Sequence, residues 1–154
     1  MALRGDRQVD SWDISFFMNE VAERGGIVSF STAGSGAALD QSAALVTYSA
    51  NESGKVPVGM LMSDMVNKDL TQTHLNDYKL ETQMGGKIPL MTRGWAVTNK
   101  VLTNETPAGG DLAYLGPSGH ISNSTIANVR TQVVGRFLSK KDQDGFAKVS
   151  INLP

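Results

Sequence analysis

The chain reads as a mainly β protein, a small β-barrel or sandwich with one N-terminal helix, on three observations. Short apolar segments of strand length recur from residue 27 to the end, Gly and Pro divide them, and a single apolar stripe of helical spacing lies between residues 11 and 24. The 154 residues fit one domain, which at this size buries roughly 70% of the surface its unfolded chain exposes. A core of that size needs no covalent staples.

Residues 1–10 are polar, rich in Arg and Asp, and lack periodicity, so they read as an extended N-terminal arm that is loose in the free protein. Residues 11–154 form the β-rich domain. Within it, Ile14, Phe17, Met18 and Val21 recur at i, i+3, i+4 and i+7, which predicts a helix over 11–24, with Asp10 or Ser11 as its cap and Gly25-Gly26 as its stop. Strands are expected at 27–31, 44–48, 56–62, 87–91, 95–98, 111–115, 133–138 and 146–153. The last pair is the clearest. Ala147, Val149, Ile151 and Leu153 alternate with Lys148, Ser150 and Asn152 behind the turn Asp142-Gln143-Asp144-Gly145, which predicts a C-terminal hairpin. Gly34-Ser35-Gly36 and Asn51-Glu52-Ser53-Gly54 read as loops, and 63–84 as a polar excursion from the body. Gly59 and Gly135 each follow a valine-containing strand segment, where a glycine marks a bend, a bulge or a close backbone approach. The expected core is Val58, Leu61, Ile88, Leu90, Val97, Leu112, Val134, Phe137, Val149 and Ile151.

Composition narrows the function classes. A net charge of −1, with no basic run longer than Lys140-Lys141, argues against nucleic-acid binding, which needs several cations to displace phosphate counterions. The absence of Cys removes disulfides, thiolate nucleophiles and the commonest zinc sites, and two histidines leave little for metal chemistry; no cofactor is expected. There is no apolar signal segment and no run of 18 apolar residues, so the reading is neither secreted by an ordinary signal nor membrane-spanning. The chain reads as a structural or binding protein and not as an enzyme.

The short motifs favour turns over chemistry. Arg4-Gly5-Asp6 matches an integrin tripeptide but lacks a cross-linked loop to present it. Asp142, Asp144 and Gly145 resemble part of a calcium loop without the distal Glu. Ser118 and His120 lie on a Gly-Pro turn without the spacing of a nucleophile elbow, and His74 has no partner ligands at metal-binding spacing. The glycosylation-type triplets at Asn51, Asn104 and Asn123 are discounted for want of a route to the glycosylating compartment. By contrast, Trp12, Phe16 and Phe17 crowd three aromatics into six residues beside a polar arm. Part of that cluster is expected to form a docking surface, with the aromatics as anchors and Arg4, Arg7 and Asp10 as rim contacts.

The runs Gly26-Ile27-Val28-Ser29-Phe30-Ser31-Thr32, Ala38-Leu39-Asp40, Val56-Pro57-Val58-Gly59-Met60-Leu61 and Pro107-Ala108-Gly109-Gly110-Asp111-Leu112-Ala113-Tyr114-Leu115 together resemble the layout of tailed-bacteriophage head decoration, or cement, proteins. The resemblance covers roughly residues 25–154. It implies a small β-rich body, a homotrimer, seated on the outer capsid surface of a virion and bridging major capsid protein subunits, with a terminal arm in the contact. The chain is longer than the lambda head decoration protein and adds the predicted helical segment. No catalytic residue carries over. The competing reading is a carbohydrate-binding β module or adhesin domain, with Trp95, Tyr48 or Tyr114 as stacking platforms for sugars.

Overall fold

A computed structural model describes residues 2–32 and 44–153; the Gly34-Ser35-Gly36 loop and the Ala38-Leu39-Asp40 run lie outside them. The described strands are β1 (Leu3–Asp13), β2 (Phe17–Met18), β3 (Ile27–Thr32), β4 (Leu45–Thr47), β5 (Pro57–Leu61), β6 (Asp64–Val66), β7 (Glu81–Gln83), β8 (Leu90–Thr98), β9 (Leu112–Leu115), β10 (Ile121–Ser122), β11 (Val133–Phe137) and β12 (Ala147–Asn152). Ten form one sheet in the order β10-β9-β11-β12-β8-β5-β3-β4-β2, with β1 also on β8, and β6 and β7 make a separate parallel ribbon. The protein is mainly β, as expected. The sheet stays open: its two ends are short strands that do not pair, so no barrel is closed.

The predicted helix over 11–24 is absent. Among the described residues the only helical elements are 3-10 turns at Asp77–Lys79 and Pro117–Gly119. Of the four residues in the helical stripe, Met18 is buried and Phe17 half-buried, whereas Ile14 and Val21 stand in solvent, so the stripe is not one face packed on the core. The arm differs too. Residues 3–13 run antiparallel along the whole of β8, from Leu3 opposite Thr98 to Asp13 opposite Leu90, in place of a loose segment. Local pattern loses here to a backbone need, because the donors and acceptors of a nine-residue strand such as β8 must be paired if they are not to be buried unsatisfied.

β8 is also the join between two wings. Its residues Leu90 and Met91 pair with β5, and Arg93 to Thr98 pair with β12. One core holds Leu3, Met60, Met91, Phe137, Val149 and Ile151 among others; the second holds Met18, Val28, Leu61, Met65, Ile88 and Leu90. Neighbouring residues of the central strands thus enter different cores: Ile27 and Val28, Met60 and Leu61, Leu90 and Met91. A strand buried on both faces reads as a continuous apolar run, which is what 56–62 shows. Gly59 belongs to this crowded centre, where a Cβ would lie 3.0 Å from the Leu90 Cβ.

The C-terminal hairpin forms as expected. Gly135, Arg136 and Phe137 face Ile151, Ser150 and Val149. Asp142 closes the turn by accepting, through one carboxylate oxygen, the backbone N–H groups of Asp144 and Phe146, each at 2.9 Å. Gly135 sits at a register shift between β11 and β9, and a Cβ there would lie 1.8 Å from the Ser150 carbonyl oxygen, so both the bulge and the close approach are real. The expected core residues are buried except Val97, which is half-buried, and Leu112, which is exposed. Both point to the outer face of the sheet, opposite Lys148 and Arg136 respectively.

Candidate interaction surfaces

The six residues expected to make the docking surface are spread along the N-terminal segment and do not converge. Arg4 and Trp12 sit near opposite ends of β1, up to about 26 Å apart at strand rise. Arg4, Gly5 and Asp6 together stand against Val97 alone, between the pairs Leu3–Thr98 and Arg7–Ala96, so the tripeptide forms a bulge. Its arginine is engaged within the chain: the guanidinium is 2.9 Å from an Asp142 carboxylate oxygen, 3.4 Å from Asp144 and 4.1 Å from the centre of the Phe146 ring. Arg4 therefore clasps the hairpin turn, and the acidic pair that resembled a calcium loop is a turn closed by a cation. Arg7 is half-buried and donates to the Arg4 carbonyl at 3.2 Å; burial, then the charge of Arg24, lowers its pKa from the usual arginine value. Asp10 is exposed and accepts from Gln8 at 3.0 Å.

The aromatics divide. Trp12 lies opposite Met91 and is 54% exposed. Phe16 packs against the second core and meets Phe30 edge to face at 5.5 Å, while Phe17 pairs with Leu45 and carries the Lys87 ammonium 5.9 Å above its ring. Ile14 and Val21, expected inside a helix, are 63% and 65% exposed. The apolar exposure of this segment thus belongs to Trp12, Ile14 and Val21, while the two phenylalanines are partly buried.

Of the aromatics considered as sugar platforms, Tyr48 is removed. It packs against the second core, its hydroxyl donates to the Glu23 carbonyl at 2.7 Å and accepts from the Gly26 N–H at 3.0 Å, and burial pushes its pKa above the usual tyrosine value. Trp95 and Tyr114 are half-buried on the outer face of the sheet, and the Lys148 ammonium lies 3.9 Å from the centre of the Trp95 ring.

That outer face is a surface the sequence reading missed. Ser150 faces Trp95 and Arg136, Asn152 faces Arg93, and Lys148 faces Val97, so the outward residues of β8, β11 and β12 gather Arg93, Arg136 and Lys148 on three adjacent strands. Leu112, Val133, Arg136 and Leu138 line a shallow depression beside them. The signal was present in the alternation of 147–153, but which other strands shared the face depended on pairing.

Two buried arginines also escaped notice, because their partners are remote in sequence. Arg130 meets Glu52 Oε1 through Nε at 3.0 Å and Nη2 at 2.9 Å, and its Nη1 donates to Ser122 at 3.0 Å and Glu105 at 3.2 Å. Burial works against the charged form of Glu105, but hydrogen bonds from Ser122, Ser124 and the Asn123 N–H, with the charge of Arg130, hold its pKa below the usual glutamate value. Arg24 joins the Asp64 carboxylate at 3.2 Å and the Lys79 carbonyl at 2.6 Å. These arrangements fasten loops together. The His120 ring nitrogen is 3.1 Å from the Pro117 carbonyl oxygen, and His74 is exposed. Among the described residues no three His, Cys, Asp or Glu side chains gather where a metal ion could sit, and no helix is long and apolar enough to cross a membrane.

No protein-family model matches the sequence, and no curated protein matches it at a significant level.

Proposed function

We propose that the chain is a structural protein of a bacteriophage virion, a decoration protein that binds the outer capsid surface as a homotrimer and bridges major capsid protein subunits. The observation that carries this reading is the N-terminal segment. Trp12, Ile14 and Val21 are each more than half exposed, and the segment's strand β1 has β8 on one edge and no partner strand on the other among the described residues. Large apolar side chains held out on one segment are what a partner surface buries, and an open strand edge adds main-chain hydrogen bonds to that contact. Arg7 and Asp10 supply the polar rim. Many copies linked through trimers make modest contacts sufficient, since later contacts become intramolecular and avidity rises by about 10² to 10⁴. The near-zero net charge of the chain suits dense packing of copies side by side.

Co-sedimentation with undecorated phage shells tests the reading. Wild-type protein is expected to pellet with shells, and the double variant Trp12→Ser/Val21→Ser to bind at least about tenfold more weakly, or about 1.4 kcal/mol. Failure of the wild-type chain to bind any shell, or full binding by the variant, removes the anchor proposed here. Half-exposed Trp95 and Tyr114 on the outer face favour the second reading, a carbohydrate-binding module. Glycan-array binding that is lost in Trp95→Ala would establish it instead.

A further inference from the structure

We propose that this chain also associates with itself head to tail, the loop between β6 and β7 of one copy seating on the outer face of β8, β11 and β12 of the next. The contact does not rest on the capsid reading. The loop, residues 67–80, carries Leu70, Leu75 and Tyr78 in solvent, and Tyr78 is wholly exposed at 101%. It is nonetheless a built structure. Asn76 caps its 3-10 turn through the N–H groups of Tyr78 and Lys79, and Asp69 closes a turn with Thr71. Lys68 pairs with Glu81, whose pKa this bond lowers, and Arg24 holds the Lys79 carbonyl from below. An aromatic held out on an ordered loop loses little conformational freedom on binding, which is the condition for an interface anchor.

Charge selects the occupant. The loop offers Asp69 and Asp77, both exposed, against Lys79, its other cation, Lys68, being paired with Glu81. The outer face offers Arg93, Arg136 and Lys148 against Asp10 at its margin. Neither Arg93 nor Arg136 makes an ion pair among the described residues. The apolar parts match as well, with Leu70, Leu75 and Tyr78 meeting Leu112, Val133 and Leu138, each exposed by more than a third. In a chain whose charges nearly cancel, the loop is thus left with a negative excess and the face with a positive one, and the two complement each other. The loop springs from the ribbon on the second core and the face covers the first, so the contact runs between copies and is heterologous.

Sedimentation equilibrium and light scattering of the purified chain, without shells, test this. The mass is expected to rise above the monomer with concentration. Arg93→Glu/Arg136→Glu is expected to weaken association by about tenfold or more, through like-charge contact with the loop. Tyr78→Ala should weaken it with an unchanged thermal midpoint. Adding Asp69→Lys and Asp77→Lys to the arginine variant reverses both surfaces and should restore association. A wild-type chain that stays monomeric throughout overturns the proposal, as does a charge-reversed pair that associates like wild type. So does a four-residue variant with wild-type circular dichroism and midpoint that fails to recover.

Discussion

β12 and β1 both pair antiparallel with β8, yet they arrive there by different routes. β12 faces β8 through six consecutive pairs, Ala147–Thr98 to Asn152–Arg93, with no irregularity. β1 faces the same strand through three register shifts. In β12 every second side chain is buried, so a slip of one residue would turn Ala147, Val149 and Ile151 to solvent and Lys148 and Ser150 into the core. β1 has one fully buried side chain, Leu3, with Arg7, Val9 and Asp13 half-covered. Its place is set by the backbone edge it completes and by a few tethers, among them the Ala2 carbonyl accepting from Asn99 and Arg4 on the hairpin turn. A strand held by its side chains is legible locally, whereas a strand held by its neighbour's backbone is not.

The sharpest break in this comparison is expected at Gly135. The Ser150 carbonyl leaves no room for a Cβ, and both atoms belong to backbone, so Gly135→Val should cost more than about 4 kcal/mol and leave little folded protein by circular dichroism. A variant melting near wild type would mean that the β11–β12 register is wrong. Next come Ile151→Ala and Leu3→Ala, one from each strand and both in the first core, each expected to cost about 2 to 5 kcal/mol by denaturant titration. Should Leu3→Ala prove silent, β1 is an appendage after all and the difference between the two strands is larger than described.

A smaller effect links the strands through Asp142. Backbone hydrogen bonding from Phe146, reinforced by Asp144 and by the charge of Arg4, holds this carboxyl below the usual aspartate value. A depressed carboxyl stabilises the fold above its unfolded pKa and loses that contribution as pH falls through the folded value, so the loss begins below about pH 4. Thermal melts across the acid range should show Asp142→Asn with a shallower acid decline than wild type; an identical decline would place the sensitive carboxylates elsewhere, Glu105 first. The smallest expected change is Trp12→Ser, within about 0.5 kcal/mol of wild type, because the indole is largely in water. A large loss there would make Trp12 a packing residue and would weaken its role as an anchor.

Seven strands stand where eight were expected, because 87–91 and 95–98 are not separate: 90–98 is the single strand β8 and 87–89 only lead into it. Their signal was local: β-branched composition, alternation where one face is buried, continuous apolar runs where both are, and Asp-Gly turn chemistry between them. The misread helix had a stripe of the right period, but only Met18 and part of Phe17 reach a core while Ile14 and Val21 do not, and periodicity cannot report whether a face has something to pack against. The six docking candidates were named from crowding and charge, and the fold spreads them from β1 through the following turn to β2, engaging Arg4 with the hairpin and bracing Phe16 against Phe30.

By itself, then, the order of residues determined the longer strands of the body, the C-terminal hairpin, the bulge glycine and most of the core, since each depends on neighbours a few positions away, but not the short strands β6, β7 and β10. Tertiary structure alone decided that residues 3–13 become a strand, that Arg130 finds Glu52 across 78 positions, and that Arg93, Trp95, Arg136 and Lys148 share one outer face. The physical reason is the same in each case. Strand pairing and buried ion pairs join segments whose mutual distance in the chain carries no local trace, and only the assembled fold states which of them meet.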